Sequence, residues 1–181
     1  VYGSTKINHR ESEKFNPSTP YAISRAAADL SLISFGKFYK FPFIITRASN
    51  VYGPGQDQHA VYSGVVPIML NKIEAGEQPV INGDGSQAYD FIYVEDVARA
   101  NVAALESDTK VGNYNVGTEI QTSIKQLCDT ILELKDSSLE VKYMPYSADD
   151  ARALVQNRIG SRKKAEEEID FKYKYSLKEG L

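Results

Sequence analysis

Phe41-Pro42-Phe43-Ile44-Ile45-Thr46, followed closely by Asn50-Val51-Tyr52-Gly53-Pro54-Gly55-Gln56, is the stretch on which the fold turns. A short apolar run bounded by polar residues predicts a strand buried on both faces, as in a parallel sheet. The second segment is rich in turn formers and reads as a loop at that strand's C-terminal end, the end where open α/β sheets bind ligands. Upstream, residues 21–39 predict a helix, with Ile23, Ala27, Leu30 and Phe38 on its apolar face. Pro20 sits just before its start and Gly36 weakens its end. Residues 4–20 carry Asn16-Pro17 and Thr19-Pro20 and read as a loop.

Downstream the alternation continues. Residues 65–75 predict a second helix with Pro67 in its first turn. Pro79-Val80-Ile81, then Gly83-Asp84-Gly85, then residues 89–94 read as strand, turn and strand, and Asp84-Gly85 predicts a hairpin. Glu95 and Asp96 open another helix to about residue 105, acidic groups at its positive end. A short strand at 114–117, a helix at 123–134 and an alternating strand at 139–143 follow. Residues 148–158 read as a loop and 162–169 as a short charged helix with a solvated face. Strands alternating with helices, without internal repeat, predict an α/β class.

The 181 residues make room for about one domain. Hydrophobic residues at 42% and charged residues at 25% are near the soluble globular average, so a core of useful size is expected. Against 24 acidic residues stand 21 basic ones, a balance with no footprint for nucleic acid and no polybasic membrane anchor. No run approaches the roughly 18 apolar residues of a membrane-spanning helix. The expectation is a soluble, cytoplasmic domain. Cys128 is the one cysteine, which excludes an internal disulfide, and its apolar helix face predicts a buried, inert thiol. His9 and His59 lie in polar loops without partners at ligand spacing, so a surface role and no metal site are expected. Tyr2, Phe35, Phe38, Tyr39, Phe41 and Phe43 are expected in packing.

Tyr21 and Arg25 stand four apart at a helix start, which puts both side chains on one face about a turn apart. A cation beside a tyrosine favours the phenolate and suits it to act as a general base. A surface tyrosine stacked on an arginine has the same spacing. Gly83-Asp84-Gly85-Ser86-Gln87-Ala88 formally fits G-x-G-x-x-A, but a dinucleotide loop needs a helix after it, and strand-like residues follow here.

The surroundings carry more. Val1-Tyr2-Gly3, Pro20-Tyr21-Ala-Ile-Ser-Arg25-Ala-Ala-Ala-Asp29, Arg47-Ala-Ser-Asn50-Val-Tyr-Gly-Pro-Gly-Gln56, Gly83-Asp-Gly-Ser-Gln87, Asp90-Phe-Ile-Tyr-Val-Glu-Asp96 and Tyr114-Asn-Val-Gly117 occur in this order. Together they resemble the extended short-chain dehydrogenase/reductases, within them the NAD-dependent nucleotide-sugar epimerases and dehydratases. The resemblance spans essentially the whole chain. It implies that Tyr21 takes the proton of the sugar 4-hydroxyl while hydride leaves C4 for NAD. Arg25 stands where the family usually has a lysine that holds the nicotinamide ribose; it keeps the charge, but a planar fork does not replace a compact ammonium. Ala48 falls among the implied cofactor contacts. Asn50 matches an asparagine near the sugar diphosphate, and a plain turn residue is its other reading. Tyr89 stands where many relatives carry a diphosphate-clamping arginine. Arg152 lies near the family's other such arginine, with Arg158 the alternative.

By the same resemblance, residues 1–60 are the C-terminal part of the NAD-binding Rossmann-like domain. Residues 61–181 are mainly the nucleotide-sugar-binding subdomain, with 89–117 returning to the Rossmann sheet. The Gly-rich N-terminal half and the catalytic Ser or Thr are absent, so the chain is expected to be the C-terminal portion of a longer enzyme and inactive alone. The implied activity runs through a 4-keto sugar. A UDP-hexose 4-epimerase-like enzyme is expected, with a dTDP-glucose 4,6-dehydratase-like enzyme and a non-catalytic nucleotide-sugar binder as alternatives. A homodimer paired through a four-helix interface is implied as well.

Overall fold

Thr19 starts the first helix by accepting the Ala22 N–H on its hydroxyl at 3.2 Å. Pro20 follows in the first turn, where its missing N–H costs nothing. The resulting α1, Pro20–Tyr39, is closed by Lys40 in the left-handed region at φ 57°. The computed structural model describes residues 1–3, 8–57, 64–147 and 156–181 of the chain. After α1 come β1 (Phe43–Ala48), β2 (Asn50–Tyr52), α2 (Val65–Glu74), β3 (Val80–Asn82), β4 (Ala88–Tyr89) and β5 (Phe91–Tyr93). Then follow α3 (Val94–Glu106), β6 (Val111–Val116), β7 (Thr122–Ser123) and α4 (Ile124–Leu134). β8 (Lys142–Met144), β9 (Asn157–Arg158), α5 (Lys163–Ile169) and α6 (Leu177–Gly180) complete the order.

Parallel pairing dominates, as the alternation of strands and helices predicts. β1 runs beside β6 with Phe43 opposite Val111 and Ala48 opposite Val116. β2 pairs with β5 and β3 with β8, both parallel. β4 lies between antiparallel β7 and parallel β9. Two groups of buried side chains hold these pieces. Tyr52, Val66, Met69, Ile73, Ile81, Phe91, Leu127 and Ile131 pack α2 and α4 against strands. Ile92, Ala100, Tyr114, Val116, Ala165 and Phe171 pack α3 and α5 against β6. Among the described residues no helix is long and apolar enough to cross a membrane. Cys128 is fully buried, as expected, and burial pushes its thiol up to about 11.

The structure corrects several expectations. Asn50–Tyr52 is a strand, because Asn50 fastens its amide and its backbone N–H to the Asp90 carbonyl and so holds β2 beside β5. Asp84-Gly85 closes no hairpin, since the strands on either side pair elsewhere. The Asp84 carboxylate instead accepts the Ser86 N–H and hydroxyl and shapes a local turn. Asn157–Arg158, expected in a loop, is a strand beside β4. His9 is buried, stacked on Tyr2 with ring centroids 4.9 Å apart and with Nδ1 2.7 Å from Glu13. Phe35, Phe38 and Tyr39 are exposed, because α1 buries only Ala26 and Gly36, and Phe41 just beyond the helix is exposed as well. His59 lies outside the described residues.

Asp90 breaks the expected strand 89–94 into β4 and β5. Its side chain is fully buried, and its carboxylate accepts Thr118 N–H (3.0 Å), Thr118 Oγ1 (2.6 Å), Glu119 N–H (3.1 Å) and Ser49 Oγ (3.0 Å). A methyl at Gly117 would stand 2.1 Å from Asp90 Oδ2 and 2.5 Å from Ser49 Oγ. Gly117→Ala is therefore expected to pry the carboxylate from its donors, at a cost of about 1–3 kcal/mol. The urea midpoint should fall with an unchanged slope. Burial raises the Asp90 carboxyl, and the donors from Thr118, Glu119 and Ser49 only partly offset it. A raised carboxylate contributes stability below its unfolded value, and that contribution is lost as pH rises through the folded one. The stability of the protein relative to Asp90→Asn is thus expected to decline as pH rises from about 4; paired urea titrations across that range check it.

Candidate active site

Tyr21, Arg25 and Asp29 recur at four-residue steps and share one face of α1. Tyr21 is 55% exposed and Arg25 is exposed, open to a ligand of sugar or ribose size. Asp29 turns inward and accepts Arg47 Nε at 2.7 Å, with side-chain exposures of 13% and 10%. Arg47 sits one residue before the end of β1, and its Nη1 also donates to the Tyr2 hydroxyl at 2.5 Å. The guanidinium packs against the rings of Tyr2 and Phe15, 5.4 and 5.0 Å from their centroids. Burial alone would lower Arg47, but the contacts with Asp29 and Tyr2 outweigh it and hold the charge. The Tyr2 hydroxyl passes the chain on to Asn115 Oδ1 on β6 at 2.9 Å, and burial pushes that phenol up.

Beyond the end of β1, a second group gathers on β2, β4 and β9. Asn50 Nδ2 donates to the Asp90 carbonyl at 3.0 Å, which leaves Oδ1 to accept Arg158 Nη1 at 3.3 Å. The Arg158 guanidinium lies over the Tyr89 ring, 5.3 Å from its centroid. Burial pushes the Tyr89 phenol up, while Arg158 pulls it the other way. The ring meets Phe91 edge-on and anchors in the apolar group of α2 and α4. A guanidinium on an aromatic face, pinned at one nitrogen, keeps its remaining N–H groups for an anion.

Of the expected site residues, Asn50 and Tyr89 come together, with Arg158 as their cation. Tyr21 and Arg25 stand on a separate element, α1. Ala48 is the exposed last residue of β1, opposite Val116. Arg152 lies outside the described residues. Tyr21, Arg25 and Ala48, the expected cofactor contacts, are all exposed. The Gly83–Gly85 turn does not fit phosphates: β4 follows it instead of a helix, and the Tyr146 ring fills the space where a Gly83 side chain would start.

Three residues in these contacts went unread in the sequence. Asp29 extends the Tyr21–Arg25 spacing by one more step, a signal that was available. Asp90 is a charge set inside an apolar run, Tyr89 to Val94, which marks a buried, fully bonded carboxylate. Arg47 shows no local signal, since its partners lie 18 and 45 residues away.

Comparison with known proteins now adds to this geometry. Residues 1–117 match the model of the NAD dependent epimerase/dehydratase family. Across 182 residues the chain is 34% identical to a Methanocaldococcus jannaschii protein whose name assigns it provisionally to UDP-glucose 4-epimerase, covering all of this chain and 57% of that one. It is 36% identical over 135 residues to human dTDP-D-glucose 4,6-dehydratase, 74% of this chain and 37% of the relative. Among solved structures, UDP-N-acetylglucosamine 4-epimerase from Methanobrevibacter ruminantium, in complex with UDP-N-acetylmuramic acid, superposes with a TM-score of 0.90 at 34% identity. That match covers 99% of this chain and 58% of the other. UDP-glucose 4-epimerase from Thermus thermophilus, in complex with NAD, gives a TM-score of 0.87 at 29% identity, over 99% of this chain and 58% of that one. The chain thus spans a little over half the length of its full-coverage relatives; these shares are lengths, and the expectation of a C-terminal portion draws no support from them. The fold is the Rossmann-like α/β fold of these enzymes, and the chain belongs to the NAD dependent epimerase/dehydratase family.

Proposed function

We propose that the chain is part of an NAD-dependent enzyme that inverts C4 of a UDP-hexose through a 4-keto sugar. The observation that carries this reading is Arg158, a guanidinium held on the Tyr89 ring and pinned by Asn50 just beyond β1, with the exposed Tyr21–Arg25 stripe on the helix packed against that strand. Arg158 offers its free N–H groups to the nucleotide diphosphate, and Asn50 fixes its direction. Tyr21 accepts the proton of the sugar 4-hydroxyl, and Arg25, one turn on, keeps a positive charge beside the phenolate. NAD, when bound, would supply the hydride acceptor and donor at C4. Tyr21 then gives its proton back to the carbonyl oxygen, and return to the opposite face yields the epimer.

The likeness to the human dehydratase supports a second reading, a 4,6-dehydratase acting on a dTDP-sugar. The same proposal assigns residues 1–60 to the NAD-binding domain and 61–181 mainly to the sugar-nucleotide subdomain. The pairing of β5 with β2 and of β6 with β1 supports the return of 89–117 to the first of these. A cytoplasmic homodimer formed through α1 belongs to it too, supported by the exposed Ile23, Leu30, Phe35, Phe38 and Tyr39.

Full-length protein incubated with NAD and UDP- or dTDP-hexoses is expected to give a product of unchanged mass and new stereochemistry. Loss of one water would install the dehydratase, and no product from any sugar would favour a non-catalytic binder. Tyr21→Phe should lower kcat at least 100-fold, within the usual range for a lost general base, while the melting temperature holds. Arg158→Gln is expected to weaken UDP binding by roughly tenfold or more in calorimetry, the measure of a lost charge-assisted contact of about 1.5–3 kcal/mol. Unaltered affinity would remove Arg158 from the site.

A further inference from the structure

Tyr21, Arg25 and Asp29 are each turned about 40° from the one before and lie within about 12 Å along the axis of α1. Whatever fixes the direction of Asp29 therefore fixes the direction of the other two. Among the described residues the Asp29–Arg47 pair is the directed polar contact between this face and β1. On α1 the buried positions are Ala26 and Gly36, with Ala22, Leu32 and Ile33 half-buried, so apolar packing holds the helix loosely beside the ion pair. Gly36 lets the helix approach closely, since a Cβ there would lie 2.2 Å from the Phe43 ring, and it adds a steric limit on rotation at the far end of α1.

Arg47 sets direction. Its Nε meets Asp29 at 2.7 Å, its Nη1 meets the Tyr2 hydroxyl at 2.5 Å, and the rings of Tyr2 and Phe15 pack on the guanidinium. Tyr2 is held in turn by Asn115 Oδ1, and Asn115 Nδ2 donates to the His9 carbonyl at 3.0 Å. The guanidinium is thus held by two hydrogen bonds and two ring faces, and it lies three residues before Asn50 on the same run of chain. A lysine would keep the charge but could not serve two partners in one plane.

We propose that Arg47 is a positioning residue: through Asp29 it sets the rotation of α1 and so the place of Tyr21 and Arg25 relative to Asn50. The proposal rests on the reading of Tyr21 as the base. A displacement on the order of 1 Å at a reacting group can cost up to about a hundredfold in rate. In the full-length enzyme, Arg47→Lys and Asp29→Asn are expected to lower kcat between about tenfold and a hundredfold with an unchanged KM for the nucleotide sugar. Asp29→Glu should retain most of the turnover. A merely structural role would lower the melting temperature and leave kcat per folded molecule intact, and that result overturns the proposal. Tyr2→Phe removes one hydroxyl and leaves the ion pair, so it reads the same effect in smaller measure should the other variants fail to fold; wild-type kcat there, with Arg47→Lys unfolded, counts against the proposal. A crystal structure of Asp29→Asn gives a readout without turnover: a displaced Tyr21 hydroxyl supports the positioning role, and a coincident one sinks it. Tyr21→Phe is assayed alongside. If that variant keeps its activity, the assignment of the base fails, while the position of residue 21 in the Asp29→Asn crystal still decides what Arg47 does.

Discussion

The buried carboxylate of Asp90 is the constraint on which the rest of the structure depends. A charge taken out of water is tolerated only where donors replace its hydration, and Thr118, Glu119 and Ser49 do so together. Those donors sit on the turn after β6 and at the end of β1. One side chain therefore fixes where two parallel strands stop, and it does so at the end of the sheet where ligands are expected. The backbone of the same residue works in the opposite direction, since its carbonyl holds both amide groups of Asn50. Side chain and main chain of a single residue thereby connect the packed interior to the candidate site.

Around that anchor, aromatic rings do what a second layer of charges does elsewhere. Arg47 lies against Tyr2 and Phe15, and Arg158 lies against Tyr89. A weakly hydrated planar cation gains from a ring face and keeps its in-plane donors for directed bonds. At Arg47 two of those donors go to Asp29 and Tyr2, and these bonds set the orientation of the guanidinium. Among the described residues the Arg158 side chain spends one hydrogen bond, on Asn50. Tyr89 is by this geometry the support of a cation brought in from β9.

Much of the architecture was legible because it is local. Thr19-Pro20 is both a cap and a first turn, the apolar run from Phe41 onward yields a parallel strand of which Ile45 alone is buried rather than one buried on both faces, and Ser123 with Gln126 forms a capping box at the start of α4. What escaped depends on partners distant in sequence. β9 is two residues long and exists because β4 is there to receive it, and no periodicity can show in two residues. The expected hairpin at Asp84-Gly85 failed for the converse reason: its turn chemistry is sound, but each flanking strand finds a better edge. For the site, Tyr21, Arg25, Asn50 and Tyr89 were singled out through motifs. The contacts that aim them, from Asp29, Arg47 and Asp90, needed three dimensions, although Asp29 and Asp90 left traces in spacing and in pattern. The exposed aromatic face of α1 misled because an amphipathic pattern says that a face wants cover, and not what covers it.

Phe91 and Ile92 are neighbours on β5, and the alternation of side chains along a strand sends them to opposite faces. Phe91 enters the group of α2 and α4; Ile92 enters that of α3 and α5. The two packed regions thus share a wall one strand thick, and neither can melt without exposing the back of the other. Cooperativity follows from that shared wall: amide protons on both sides of β5 are expected to exchange by the same opening, and the candidate site residues on one side inherit the rigidity of the helices on the other.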